Sequence, residues 1–125
     1  MNKVMLTWIG VAIAGALGSV ARFGVSEVWK LATRYPAGTL TVNLVGAFAL
    51  GWVNTKFLDA PESAFWRYTL GVGLLGGFTT FSSMMFDSDR MMNDAQYFPA
   101  AAYLGLSVFL GMVAVRAGVM VAKGI

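Results

Sequence analysis

The sequence predicts an all-α membrane protein of four transmembrane helices, the third of them broken. The 125-residue chain is 58% hydrophobic and only 12% charged, with a mean hydropathy of +0.68, whereas a soluble domain carries about 25% charge. The charges leave four gaps, from Lys3 to Arg22, Arg34 to Lys56, Arg67 to Asp87 and Asp94 to Arg116, which hold 18, 21, 19 and 21 uncharged residues. Each is close to the roughly 20 apolar residues a helix needs to cross a bilayer core. Within the third gap, four glycines, two threonines and two serines crowd between Gly71 and Ser83, poor material for a continuous helix at membrane depth.

Residues 1–125 therefore form a single domain with spans at about 4–31, 39–57, 65–92 and 98–121. The first span turns polar in its second half, with Arg22 and Glu27. Pro36 and Gly38 punctuate the turn before the second. The polar, proline-bearing segment 58–63 separates the second from the third. The third has its expected break at Gly76–Gly77, followed by Thr79–Thr80. No cleavable signal peptide is expected, because no small-residue cleavage site precedes a soluble mature region.

Composition excludes much. The net charge of +3 comes from basic residues scattered singly, without the stripe that nucleic acid binding requires. No cysteine is present, so disulfides and thiolate chemistry are excluded. No histidine is present either, which removes the commonest general base. With six carboxylates, mostly near span ends, the chain is not expected to be an enzyme.

An even number of spans puts both termini on one side. That side has Lys3, Lys56, Arg67, Arg116 and Lys123; the other has Arg22, Lys30, Arg34 and Arg90. Five against four gives almost no positive-inside instruction, which permits insertion in both orientations and an antiparallel homodimer. Small residues suited to close helix packing occur at Ala14 and Gly18, Gly46 and Ala47, and Gly73 and Gly77. They serve contacts either within the chain or between subunits.

The embedded polar groups are almost all hydrogen-bond donors. Thr39 and Asn43 share a helical face in the second span, as do Tyr103 and Ser107 in the fourth. The third adds Thr79, Thr80, Ser82 and Ser83, and Arg22 stands near one end of the first. A cation pathway would need acceptors or buried carboxylates, whereas hydroxyls, an amide and a guanidinium suit a small anion. Phe81 follows the break, and an aromatic ring edge is electropositive.

Three segments resemble the CrcB/Fluc fluoride channel family. Residues 73–82 (GLLGGFTTFS) resemble its GxxGGxTTFS signature. Residues 38–46 (GTLTVNLVG) resemble its GTLxxNxxG segment, and residues 18–23 (GSVARF) its Gly…Arg-aromatic segment. The resemblance implies a passive, fluoride-selective channel in the plasma membrane (the inner membrane of bacteria), built as an antiparallel, dual-topology homodimer with two pores. It implies that Asn43 donates to fluoride and that Phe81 turns its ring edge to the ion. Tyr103 and Ser107 would line the pore, with Thr39, Thr80 and Ser83 along the polar track. Arg22 would stand near the vestibule or tie down loop carbonyls. The backbone carbonyls of Gly76 and Thr79 would hold a structural Na+ at the dimer interface. One departure stands out: Met84 occupies the place of the family's second box phenylalanine. A small multidrug-resistance-type exporter would need a carboxylate deep in the first span, for which Glu27 is the sole candidate. A non-transporting membrane assembly subunit would leave the donor faces unexplained.

Overall fold

The computed structural model describes residues 1–125 and contains four helical spans. Helix α1 runs Lys3–Lys30, capped by Asn2, whose side chain accepts from the Met5 N–H at 2.8 Å. Its last turn carries Lys30, complementary to the negative end of the helix dipole. Helix α2, Ala37–Lys56, begins directly after Pro36. The third span is composite. A 3-10 turn at Pro61–Ser63 and a single α-turn at Ala64–Trp66 lead into a π-helix, Arg67–Leu75, and a last turn, Gly76–Phe78. Thr79 and Thr80 are extended, and helix α3 then runs Phe81–Asn93. Helix α4, Tyr97–Lys123, ends in a Schellman motif. Gly124 is left-handed with φ 75°, and the Ile125 N–H reaches back to the Met120 carbonyl. The connection from α3 to α4 holds the one non-glycine residue with positive φ, Ala95 at 59°.

The expected break is present, but it falls later than the glycine pair. Gly76 and Gly77 are helical, and the chain opens at Thr79–Thr80. The glycines serve proximity instead. A Cβ on Gly77 would meet the Gly15 carbonyl oxygen at 2.4 Å, and one on Gly18 would meet the Leu74 carbonyl oxygen at 2.1 Å. On the other side of the molecule α2 packs along α4. There a Cβ on Gly118 would stand 2.0 Å from the Phe48 carbonyl oxygen. These are main-chain contacts that no rotamer change relieves. Gly73 faces the Val11 carbonyl and Gly46 the Thr79 side-chain methyl, so these small residues are used within the chain.

Only 19 of the 125 residues are buried, so the helices meet one another along narrow seams. Trp8, Ile13, Leu17, Phe109 and Val113 are exposed on the long helices, as expected of faces that meet lipid or another copy. The buried cluster Met84, Met91, Ala100 and Tyr103 joins α3 to α4 and backs the site.

Candidate functional site: an uncharged cavity at the helix break

Opening the third span frees main-chain groups, and α2 takes two of them. Asn43 donates through Nδ2 to the Thr80 carbonyl at 2.9 Å and accepts from the Thr80 N–H at 2.8 Å through Oδ1. This clamp holds the extended residue at a fixed distance from α2. Thr80 then caps α3, its hydroxyl accepting from the Ser83 N–H at 3.2 Å. In a continuous helix the Thr80 and Ser83 N–H groups would close bonds to the carbonyls of Gly76 and Thr79. Both are diverted, which deprives those two carbonyls of their helical partners. The Thr79 hydroxyl bonds back to the Leu75 carbonyl at 2.9 Å.

A cavity of about 450 Å³ opens at this point. Asn43, Thr80, Phe81, Met84 and Ser107 line it, with Gly76 and Thr79 at its edge and no charged residue in its wall. Asn43 keeps its second amide N–H, since Nδ2 carries two donors and the clamp uses one. The Ser107 hydroxyl is buried and has no hydrogen-bond partner, unusual for a native polar group. Phe81 is 71% exposed, so its ring forms a wall open on one side.

A second cavity, of about 540 Å³, lies beside the α1–α2 turn and is lined by Thr39, Asp87, Lys30, Arg34 and Arg90 among others. The fully buried Tyr103 belongs to the wall behind the site. Thr39 donates to Asp87 Oδ2 at 2.9 Å, and Tyr103 donates to the same oxygen at 3.4 Å. The donors on this part of the track are therefore engaged by a carboxylate. Asp87 is the polar residue the sequence did not single out. The available signal was its place on α3 one turn before Met91 and one helical repeat after Thr80.

Arg22, Ser83 and Tyr103 line neither cavity, although the family resemblance implies a pore-lining Tyr103. Arg22 donates through Nε to the Gly77 carbonyl at 3.0 Å, one turn along α1 from Gly18. It ties α1 to a helical carbonyl of the broken span rather than to a loop carbonyl. Replacing it with methionine keeps the length and removes the donor. A loss of about 1–3 kcal/mol is expected from the unpaired carbonyl, read as a lower unfolding midpoint in detergent; an unchanged midpoint would dissociate Arg22 from the break. Glu27 pairs with Lys30 at the exposed end of α1, where it lacks the deep position a proton-coupled exporter requires.

Taken together, four apolar spans, a broken third span and an uncharged, largely apolar cavity with a few polar side chains define a multi-pass membrane protein with a site at the break. The family described as CrcB-like protein, Camphor Resistance (CrcB), matches residues 9–119, and the chain belongs to that family. Curated relatives agree over nearly full length. A Fluoride-specific ion channel FluC of Caulobacter vibrioides (strain NA1000 / CB15N) is 42% identical, covering 98% of this chain and 97% of the relative. One from Geobacter sulfurreducens is 38% identical over 95% and 98%. The Fluoride-specific ion channel FluC 2 of Mycobacterium tuberculosis (strain ATCC 25618 / H37Rv) is 41% identical over 93% and 90%.

Proposed function

We propose that this chain is a passive fluoride channel of the plasma membrane, the inner membrane in bacteria, which lets cytoplasmic fluoride leave down its gradient. The observation that carries this reading is the uncharged cavity wall that offers the spare Asn43 N–H and the unpartnered Ser107 hydroxyl. Donors replace an anion's hydration shell, and without a full countercharge they do not trap it. The N-terminus of α3 opens at the same cavity through Thr80 and Phe81, adding the positive end of a helix dipole. Phe81 contributes a ring edge, and Met84 a polarizable thioether whose methyl is slightly positive. The weak acid HF crosses membranes, dissociates in the less acidic cytoplasm, and leaves the trapped anion for such a path to export. No catalytic group is involved.

The exposure of Phe81 and Gly76 calls for a second wall, which an antiparallel copy supplies. The balanced five-to-four charge distribution supports that arrangement, and two such chains then form two pores. The Gly76 and Thr79 carbonyls, both without their helical donors, are hard oxygen ligands suited to Na+. A bound Na+ would supply positive charge against these main-chain oxygens. Arg22 from α1 and Asn43 from α2 hold the carbonyls next in the chain, those of Gly77 and Thr80. Thr39, which lines the second cavity, and the buried Tyr103 both spend their hydroxyl protons on Asp87.

Purified protein in liposomes should release loaded fluoride, followed with a fluoride electrode, while a parallel chloride load stays inside. Met84→Phe should also conduct, since a ring edge replaces the thioether. Silence of both proteins, with folded dimers, would reject the channel; recovery in Met84→Phe alone would place the defect on the methionine.

A further inference from the structure

Met84 is one of two methionines on a cavity that also carries the Asn43 amide and the Ser107 hydroxyl. Its side chain packs beside Tyr103 and Ala100, yet it also lines the cavity with Asn43, Thr80 and Ser107. A thioether accepts hydrogen bonds weakly, so in its reduced form it leaves these donors to an incoming anion. We propose that Met84 is an oxidation site whose sulfoxide closes the cavity to anions, an inference that rests on the channel reading above. The co-reactant is a small peroxide, of which hydrogen peroxide is the simplest. The sulfur lone pair attacks one peroxide oxygen and the O–O bond breaks. That oxygen stays on sulfur, and the other leaves with both protons as water. Sulfur is oxidised by two electrons and the peroxide is reduced by two.

The product differs from the thioether in the property that matters here. A sulfoxide oxygen is a strong acceptor carrying partial negative charge, and oxidation makes an apolar side chain polar. The buried Ser107 hydroxyl lacks a partner, and Asn43 has one N–H to spare. Either can satisfy the new oxygen, which withdraws a donor from the path and sets a like partial charge against fluoride. Hydrogen peroxide is little larger than water, and a cavity of about 450 Å³ admits it.

The test compares fluoride efflux before and after peroxide treatment of liposome-embedded protein, with peptide mass spectrometry to place each added oxygen. Wild type, Met84→Leu and Met112→Leu are each referred to their own untreated flux, Met112 being an exposed methionine on the same cavity. The expected result is oxygen on Met84 and a loss of about tenfold, the effect of removing one charge-assisted hydrogen bond. The loss should appear in wild type and Met112→Leu and be absent from Met84→Leu. Unchanged flux with Met84 oxidised would overturn the inference, as would oxidation of Met112 with Met84 spared. An untreated wild type that conducts nothing would reject the channel reading itself.

Discussion

Asn43→Asp should abolish fluoride efflux while the protein remains a monodisperse membrane protein. The substitution keeps one oxygen in place to accept from the Thr80 N–H, now at 2.8 Å from Asn43 Oδ1. It removes the amide nitrogen that donates to the Thr80 carbonyl at 2.9 Å. An ionised aspartate would set a negative charge against that carbonyl and against any anion in the cavity. A protonated one would restore the bond to Thr80 and still lack the spare N–H. Losing a hydrogen bond to an ion costs about 1.5–3 kcal/mol, and the like charge adds to it, so flux should fall by at least about a hundredfold. Asn43→Leu should act differently. It leaves the Thr80 N–H and carbonyl both unpaired, at about 1–3 kcal/mol each, and should lower the unfolding midpoint as well as flux. Full fluoride efflux through folded Asn43→Asp would remove Asn43 from the ion path.

Gly18→Ala should destabilise the fold. A methyl group there would sit 2.1 Å from the Leu74 carbonyl oxygen and 2.9 Å from the Phe78 nitrogen. Both are main-chain atoms of the span that carries the break, so relief requires α1 to move away. That movement lengthens the Arg22 contact with the Gly77 carbonyl one turn further along. Overpacking of this kind costs about 1–3 kcal/mol, and loss of the Arg22 bond adds to it. Size-exclusion profiles and thermal melts in detergent read the result. Gly24→Ala is the control: the same helix has nothing within 4 Å of a Cβ at that position, and alanine favours the helix by about 1 kcal/mol. Equal midpoints for the two variants would show that the α1 contact does not hold the broken span.

The four spans are legible because charge gaps and span length report one physical requirement, the exclusion of ions from hydrocarbon. The break is legible as a cluster of glycine and hydroxyl residues, but its position is not. Glycine depresses helix propensity wherever it stands, so composition points to Gly76–Gly77. Tertiary contact with α1 instead keeps Gly77 in the helix, and Asn43 draws Thr80 out of it. The π-helix at 67–75 leaves no trace in the pattern, because widening a turn changes which carbonyl each N–H meets and not which residues are apolar. Asn43, Thr80, Phe81, Met84 and Ser107 meet at one cavity, as a helical face paired with a motif after the break would suggest. Asp87, an acidic residue shortly after the break, is given no role by the sequence, because a carboxylate near a span end reads as solvated until Thr39 and Tyr103 are seen to converge on it.

The spans also differ in length in a way that assigns them unequal tasks. At 1.5 Å per residue, the 20 residues of α2 measure about 30 Å, the thickness of a bilayer core. The 28 residues of α1 and the 27 of α4 measure about 40 Å, and must tilt or protrude. The helix without slack is the one that bears Asn43. Lipids of different chain length would therefore tip α1 and α4 first, while the clamp on Thr80 keeps its depth.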